Sequence, residues 1–350
     1  MYNRNQTRTV KAGSLPIGGG ARISVQTMAN VDPHDAGACL GQLLSCAERG
    51  CDLFRMTVPD VEAAKVLGEV RRKSPIPVVA DIHFDYKCAL AAIAEGADAI
   101  RLNPGNIGSR DRIQAVARAA LSRRVPIRIG VNGGSLESGE TLVSSALKHL
   151  KLLEDEGFRD VVISAKASNV QTTVSTYREL AERTDCPLHV GVTEAGTLIP
   201  AAVRSSVAMG ILLNDGIGDT IRVSVTGKPE KEVKIGLEIL RSLGLREAGP
   251  AIVSCPTCGR TKVDLLRVAT QVEDALETLC RDQPPAWRGR MPRVAVMGCA
   301  VNGPGEAKGS DIALCGGQGE YLLYVKGELM CKVSEADAVG KVIEYVVSYE

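Results

Sequence analysis

Eight short β-rich runs recur over the first 226 residues, and their spacing is the strongest constraint on the fold. Successive runs begin 21 to 34 residues apart, which is the length of one strand followed by one helix. Strand–helix units repeated in this way predict a closed parallel (β/α)8 barrel of the TIM type over residues 1–245. A doubly wound open sheet is the alternative. The runs are residues 23–28, 52–58, 78–84, 99–103, 127–132, 161–168, 188–195 and 220–226.

Polar and apolar residues alternate within these runs, so that each predicted strand has one polar face. In the run IRIGVN, Ile127 and Ile129 share one face while Arg128 and Asn132 share the other. If the apolar face packs on the helices, the polar set points into the barrel near the strand C-termini, where barrel enzymes bind their ligands. The residues of this set predicted to contact a ligand are Arg55, Asp81, Arg101, Asn103, Arg128, Asn132, Lys166, Arg222 and Ser224.

This inward-facing set is strongly positive, and Asp81 and Glu194 are its candidate balancing carboxylates. Buried cations are costly without an anionic partner, so the set predicts a phosphorylated ligand; an excess of about three charges fits a diphosphate. A self-neutralised barrel core is the alternative. His83 is a candidate substrate contact or proton donor. Glu194 is the candidate acid–base group, although its neighbour Thr193 could face inward instead.

The overall composition excludes several classes of protein. Lys plus Arg number 42 against 41 Asp plus Glu, and aromatic residues make up 3% of the chain, so the features of a nucleic-acid binder are missing. The sequence contains no apolar run long enough to span a membrane, and MYNRNQTRTV lacks the apolar core of a secretory signal. Most of the 11 cysteines are isolated in apolar patterns, which is typical of reduced thiols. We therefore expect a soluble cytoplasmic protein.

Residues 246–350 predict a separate, smaller α+β domain. A helical run at 265–280 is followed by a Pro-rich loop and the strand VAVMG, and the segments DIALCGG and EYLLYVKGELMCKV are typical of hairpin strands. A final helix is predicted to begin near Ser334, with Asp337 three residues on as its capping partner.

Cys255, Cys258 and Cys299 lie in the motifs SCPTCGR and GCAVNGPGE and are spaced as if to hold a common ligand. A thioredoxin-like redox pair leaves Cys299 unexplained, and a structural zinc site needs a fourth Cys or His. The CxxxCxxC motif of radical enzymes is absent. An iron–sulfur cluster with three thiolates and one unusual ligand is the remaining interpretation. The NGPGE turn carries Glu306, whose hard carboxylate binds iron more weakly than a thiolate does.

The chain resembles the bacterial 4-hydroxy-3-methylbut-2-enyl diphosphate synthases of the non-mevalonate isoprenoid pathway. The matching motifs run in order from VQTM through VADIHFDY, RLNPGNIG, IRIGVN, KAS, TEAG and GIGDTIRVS to CPTC and NGPGE. The resemblance implies a barrel joined to a C-terminal domain with a 4Fe–4S cluster held by Cys255, Cys258, Cys299 and Glu306. It also implies reductive opening of 2-C-methyl-D-erythritol 2,4-cyclodiphosphate.

The family resemblance further implies a partner protein and an assembly. Single electrons would come from ferredoxin or flavodoxin. The family acts as a homodimer in which the cluster domain of one chain caps the barrel of the other, which would bring Arg260 near the substrate. The sequence departs from many members in the loop 28–36, although Asn30 is retained, and the loop after Glu137 is shorter than in some. The alternative function is a phosphate-binding barrel synthase with a structural zinc module.

Overall fold

The computed structural model describes residues 4–136, 138–246, 252–282, 291–300 and 303–349. The chain divides into two compact units, residues 1–246 and 247–350. None of the described helices combines the length and the apolar character needed to cross a bilayer. The roles that the sequence assigns to the two domains, substrate binding and cluster binding, stay predictions.

The first unit opens with an antiparallel hairpin of strands β1 (Val10–Ala12) and β2 (Leu15–Ile17). Its apolar residues Val10, Ala12 and Ile17 are buried in a small cluster with residues at the beginnings of the barrel strands, such as Leu53 and Val79. The hairpin therefore covers the N-terminal end of the barrel. The hairpin was not predicted from the sequence, because its strands are too short to show a clear alternation.

Eight parallel strands then form the barrel, and each of them lies within one of the predicted runs. Neighbours in the sheet are neighbours in the chain, and β10 pairs with β3 on one side and β9 on the other. An isolated parallel bridge between Ile163 and Leu188 closes the ring, so the closed barrel is confirmed and the open sheet is excluded. The strands are β3 (Ser24–Met28), β4 (Leu53–Thr57), β5 (Val78–Asp81), β6 (Ala99–Leu102), β7 (Ile127–Asn132), β8 (Val161–Lys166), β9 (His189–Val190) and β10 (Thr220–Ile221).

Helices cover the outside of this ring, and polar residues at the strand-to-helix loops start several of them. The carboxylates of Asp35, Asp60 and Asp85 each accept a backbone N–H from the first turn of the helix that follows. The apolar strand faces and the inner helix faces share one buried core. The helices are α1 (Ala36–Glu48), α2 (Val61–Lys73), α3 (Tyr86–Ala94), α4 (Pro104–Ile107), α5 (Arg110–Arg123), α6 (Leu142–Glu154), α7 (Val170–Arg183), α8 (Leu198–Asn214) and α9 (Pro229–Ser242).

The described part of the second unit is a mixed sheet with two longer helices packed on it and a third helix of a single turn. The strand order is β11-β12-β13-β14-β15; the first two pairs are parallel and the last two antiparallel. The apolar faces of α10 and α12 are buried against one side of this sheet. Its elements are β11 (Ile252–Ser254), α10 (Leu265–Asp282), β12 (Val294–Met297), α11 (Gly303–Glu306), β13 (Ile312–Gly316), β14 (Glu320–Val325), β15 (Glu328–Ser334) and α12 (Ala338–Val347).

The predicted start of the last helix is wrong by four residues. Ser334 is the last residue of β15, and α12 begins at Ala338 with Asp337 as its N-cap residue. The Ser334 hydroxyl donates to the Asp337 carboxylate and accepts the Asp337 N–H at 3.2 Å. This pair therefore forms the turn that leads into the helix rather than its first helical turn.

Three aspartates fix the N-terminal end of the barrel. Asp52, Asp98 and Asp219 each precede a strand, and each side chain accepts a backbone N–H of the neighbouring strand segment, at 2.8, 2.9 and 2.8 Å. Asp52 also receives two hydrogen bonds from Arg246, at 2.8 and 3.0 Å. Burial raises the pKa of Asp219 to about 6, although the N–H of Leu188 opposes the shift.

Replacing Asp219 by Asn is expected to change how barrel stability depends on pH. The folded-state pKa of Asp219 lies above its ordinary value, so the protonated carboxyl favours the folded state at low pH, and this contribution is lost as the pH rises through about 6. An amide cannot ionise. The free energy of unfolding of Asp219→Asn relative to the wild type is expected to rise by about 2 kcal/mol between pH 4 and pH 7. Urea titrations followed by circular dichroism measure this difference, and a difference that does not change with pH would contradict the prediction.

Candidate active site

Two connected sets of residues form cavities at the C-terminal end of the barrel strands. An inner cavity of about 200 Å³ lies between the strands, and an outer cavity of about 1070 Å³ lies among the loops. The predicted residues that line the inner cavity are Arg55, Asp81, His83, Arg101, Arg128, Asn132, Lys166, Thr193, Arg222 and Ser224. Asn103 and Glu194 line the outer one. The structure thus brings these barrel residues together, while their roles toward a ligand stay predictions.

Asp81, at the end of β5, is the buried carboxylate around which two of the cations gather. Arg101 donates to it at 3.3 Å, and the Arg55 Nε lies 3.8 Å from its second oxygen. Burial alone would raise the pKa of Asp81, but the charges of Arg55 and Arg101 outweigh it and hold the pKa below its ordinary value. Burial lowers the pKa of Arg55 to about 10, so its guanidinium remains charged at neutral pH.

Arg101 lies in a space that a glycine leaves open. Its Nη2 donates to the carbonyl oxygen of Gly130 at 3.1 Å. A Cβ at Gly130 would lie 2.1 Å from the Arg101 Nε and 2.7 Å from its Cζ. The Gly in the run IRIGVN therefore gives the guanidinium of the adjacent strand its place in the barrel.

Arg128 is buried, and its nearest side-chain partner is an amide. Its Nη1 donates to the Gln26 Oε1 at 2.6 Å. The Arg128 Nη2 and the Gln26 Nε2 are buried donors without a hydrogen-bond partner in the described part of the chain. Burial and the charge of Arg55 lower the pKa of Arg128. Two buried donors therefore have no partner among the described residues, and one of them belongs to a guanidinium that pairs with no described carboxylate. This is the strongest local indication of an anionic ligand.

Arg222 forms an ion pair with a residue that was not predicted from the sequence. Glu232, on the first turn of α9, accepts from the Arg222 Nη2 at 3.0 Å and from its Nε at 3.2 Å. It also accepts from the Thr27 hydroxyl at 2.7 Å and from the Val225 N–H at 3.0 Å. A signal was present, because Glu232 shares a helix face with the buried residues Gly236 and Leu240 at intervals of four.

His189 is a second residue of the site that was not predicted from the sequence. It is 1% exposed, and its Nε2 lies 3.2 Å from the Lys166 Nζ. Counting back in steps of two from Thr193, which lines the inner cavity, leads through Gly191 to His189 and would have placed it on the inward face. The same count indicates that Thr193, rather than Glu194, points toward the barrel interior.

Glu194 and His83 lie at the mouth of the barrel. Glu194 adopts a left-handed backbone conformation with φ of 53°, which an L-residue with a side chain adopts only at a cost of about 1 kcal/mol. The His83 Nε2 lies 3.8 Å from the Asp81 carboxylate, and its side chain is 47% exposed. Both side chains line the outer cavity, where a ligand can reach them, and their acid–base roles stay predictions.

In the second unit, the predicted thiol ligands follow the C-terminal ends of two neighbouring parallel strands. Cys255 comes directly after β11, and Cys299 comes two residues after β12. The Gly298 N–H donates to the Cys255 sulfur at 3.2 Å. Cys258 is exposed, and hydrogen bonds from Arg260 lower the pKa of its thiol. Arg260, predicted as a substrate contact, is therefore placed beside a predicted cluster ligand within its own unit.

The thiols have the chemistry that a cluster needs, but their positions in the described ranges do not form a metal site. Within the described ranges no three Cys, His, Asp or Glu side chains are grouped closely enough to hold a metal ion. The side chain of Glu306 lies outside what the structure describes. Cys315 is buried near Cys255 and Cys299. Burial is the main cause that raises the pKa of its thiol, and the negative charges of Cys299 and Cys255 raise it further. Soft sulfur donors on strand-end loops, one of them receiving a backbone N–H, are the donor set that iron–sulfur clusters use.

These features place the chain among barrel enzymes with a cation-lined cavity and an appended thiol-bearing domain. The family follows from comparison with known proteins. Residues 7–237 match the family profile described as the GcpE TIM-barrel domain, and residues 251–348 match the GcpE protein C-terminal domain. The chain belongs to the GcpE family.

Relatives from other bacteria match along nearly the whole chain. The protein named 4-hydroxy-3-methylbut-2-en-1-yl diphosphate synthase (flavodoxin) of Geobacter sulfurreducens is 50% identical over 351 residues, which covers 97% of each chain. The protein of the same name from Clostridium acetobutylicum is 48% identical over 353 residues, covering 98% of this chain and 99% of its own. The resemblance found in the motifs is thereby confirmed.

Two solved structures are similar to about two thirds of this chain. Yersinia pestis dihydropteroate synthase has a TM-score of 0.51 at 15% identity, covering 67% of this chain and 98% of that one. A type I 3-dehydroquinate dehydratase from Clostridium difficile has a TM-score of 0.52 at 14% identity, with 68% and 98% covered. At such identities the likeness establishes the barrel fold and nothing about the ligand.

Replacing Gly130 by Ala is expected to disable the cavity without unfolding the barrel. The added methyl group would force the Arg101 guanidinium away from Asp81, because it would lie 2.1 Å from the Arg101 Nε. A displacement of about 1 Å in a positioning group costs on the order of 100-fold in kcat/KM. Steady-state kinetics measure the loss. Gly41→Ala is the matched control, since a Cβ at Gly41 meets nothing within 4 Å; equal losses in both variants would contradict the steric argument.

Proposed function

We propose that this protein catalyses the reductive ring opening and dehydration of 2-C-methyl-D-erythritol 2,4-cyclodiphosphate to 4-hydroxy-3-methylbut-2-enyl diphosphate. The observation that carries the proposal is the uncompensated positive charge in the barrel. Arg128 and Lys166 pair with no carboxylate among the residues that the structure describes, and buried donors beside Arg128 are unused. The names of relatives at about half identity state a diphosphate product, and the family resemblance implies the cyclic diphosphate substrate.

The shape of the barrel end supports a small, doubly phosphorylated substrate. Its inner cavity of about 200 Å³ is small compared with ligand pockets of about 300–1,000 Å³, so it suits a compact anionic group. The wider outer cavity leaves room for the carbon skeleton. Arginine forks bind phosphate oxygens in pairs, and Arg55, Arg101 and Arg128 present such forks from three strands.

The barrel residues bind the substrate and transfer a proton to it. The diphosphate is held by the cationic residues, while His83 and Glu194 lie at the mouth near the outer cavity. The ring oxygen that becomes a phosphate oxygen needs no proton, but the hydroxyl that leaves as water must gain one. Glu194 is the group we assign to this transfer, because its carboxyl group lines the outer cavity at the mouth of the barrel, where a substrate hydroxyl can reach it.

Cys255, Cys258, Cys299 and Glu306 are the residues we assign to holding a 4Fe–4S cluster. Such a cluster, when bound, supplies the two electrons of the reduction one at a time. The printed names of the relatives specify flavodoxin, which supports a flavodoxin as electron donor; a ferredoxin is the alternative. A flavodoxin-type donor also accounts for the absence of a dinucleotide-binding fingerprint in the sequence.

Metal analysis after anaerobic purification tests the cluster assignment. The expected content is about four iron and four sulfide per chain with a broad visible band near ~400 nm. Glu306→Ala is expected to lose about one iron selectively while retaining thiolate-bound iron, because the carboxylate is the weakest of the four ligands. Glu320→Ala, which removes only an exposed ion pair with Lys332, is the control. One zinc and no colour would instead support the barrel synthase with a structural zinc module.

We also propose that the protein is a homodimer in which the second domain of one chain caps the barrel of the other. An exposed apolar stripe on α8 supports self-association through the barrel. Ile199, Val203, Val207 and Ile211 follow one another at intervals of four and are 75%, 56%, 48% and 38% exposed. A two-fold contact uses the same surface of both chains, so a continuous stripe of this kind can pack on its own copy.

Introducing a charge into this stripe is expected to separate the chains. Val203→Glu places two carboxylates in a two-fold contact and is expected to raise the dimer dissociation constant at least about 100-fold, with little effect on folding because Val203 is 56% exposed. Sedimentation velocity measures the change. Val61→Glu, at a 42% exposed position on α2, is the matched control. A wild-type monomer would refute the dimer, and an unaffected dimer would place the contact elsewhere.

A further inference from the structure

Lys166 is a partly buried lysine at the end of β8 whose side-chain partner is an imidazole. Its Nζ lies 3.2 Å from the His189 Nε2, and across the described ranges no carboxylate reaches it. Burial and the charges of nearby arginines lower the pKa of Lys166 well below its ordinary value, whereas an anion in the cavity favours the charged form. In that charged form the lysine has three donors and no acceptor, so the imidazole accepts at Nε2. The proton of a neutral His189 is then on Nδ1, which faces the Thr220 hydroxyl oxygen at 3.3 Å.

The surroundings keep His189 neutral and in one place. Burial and then the charge of Lys166 lower its pKa well below the ordinary value. The hydroxyl of buried Tyr177 donates to the His189 carbonyl oxygen at 2.6 Å and accepts the Ala165 N–H at 3.1 Å, which ties β8 to β9 at this level. The imidazole therefore sits on a rigid part of the barrel.

Gly191 leaves the space that the Lys166 side chain needs between β8 and β9. A Cβ at Gly191 would lie 3.0 Å from the Lys166 Nζ and 2.3 Å from the carbonyl oxygen of Arg222. With hydrogen at that position, the lysine side chain can cross from β8 toward β9 and reach His189. The position of the ammonium is thus set by the neighbouring strand.

We propose that His189 is a positioning residue that holds the Lys166 ammonium at the inner cavity while leaving its charge available to the diphosphate. The inference rests on the proposed function, because it assigns the anion that Lys166 meets. A carboxylate at position 189 would hold the lysine equally well but would cancel its charge. A neutral imidazole, fixed by Thr220 on its other side, orients the ammonium without neutralising it.

Binding of inorganic pyrophosphate to the full-length protein, measured by isothermal titration calorimetry, tests the inference without depending on turnover. His189→Phe keeps the ring volume but removes the acceptor, and it is expected to weaken binding about tenfold. His189→Gln can place an amide oxygen near the former Nε2 and is expected to bind within about threefold of the wild type. His189→Asn, whose amide is too short to reach Nζ, serves as a second variant without an acceptor should the Phe variant fail to fold.

A double-mutant cycle with Lys166→Met decides whether His189 acts through the lysine. In the Lys166→Met background, His189→Phe is expected to cause no further loss of pyrophosphate affinity. Equal losses in the Gln and Phe variants, or additive losses in the cycle, would overturn the positioning role while leaving the cavity as a diphosphate site. A wild-type protein that does not bind pyrophosphate would instead overturn the proposed function of the cavity, and this inference with it.

Discussion

The excess of positive charge at the centre of the barrel is the constraint on which the rest of the site depends. Several cations must be held in fixed positions without cancelling the charge that attracts the ligand. The barrel does this with neutral acceptors. The Arg101 guanidinium donates to the Gly130 carbonyl oxygen, Arg128 to the Gln26 amide, and Lys166 to the His189 imidazole. Each acceptor orients its cation without cancelling charge, and Arg128 and Lys166 pair with no carboxylate among the described residues.

The carboxylates in the same arrangement neutralise only some of the cations. Asp81 serves Arg55 and Arg101 together, and Glu232 fully pairs Arg222. Glu232 reaches the barrel end from a helix and also binds the Thr27 hydroxyl of a strand, so it joins two layers of the fold. Removing either carboxylate would leave buried cations repelling one another, whereas removing a neutral acceptor would free a single cation to move. The first kind of residue stabilises the barrel, and the second shapes the cavity.

Whether a residue of the site could be predicted from the sequence depended on how far apart in the chain the interacting residues are. Alternation within a strand is local, so the inward set from Arg55 to Arg222 follows from the order of residues alone. Gln26 and His189 lie on inward faces by the same rule, but neutral polar residues carry no charge signal and were passed over. The helical period places Glu232 on the buried face of its helix, but its contact with Thr27 joins residues about 200 positions apart and follows from no periodic pattern. The short hairpin that precedes the barrel was not predicted, because its strands are too short to show an alternating pattern.

The two units place their functional side chains by the same rule of topology. Parallel strands end together at one edge, and the residues that follow them are free of the strand ladder. In the barrel this edge carries Lys166 and Glu194, and in the second unit it carries Cys255 and Cys299. Backbone N–H groups released from the ladder then become available to ligands and sulfur atoms, as the Gly298 N–H does for Cys255. A sheet whose first strands are parallel thus suits a thiolate site, because it brings separate loops to one edge and supplies the hydrogen bonds that thiolates accept.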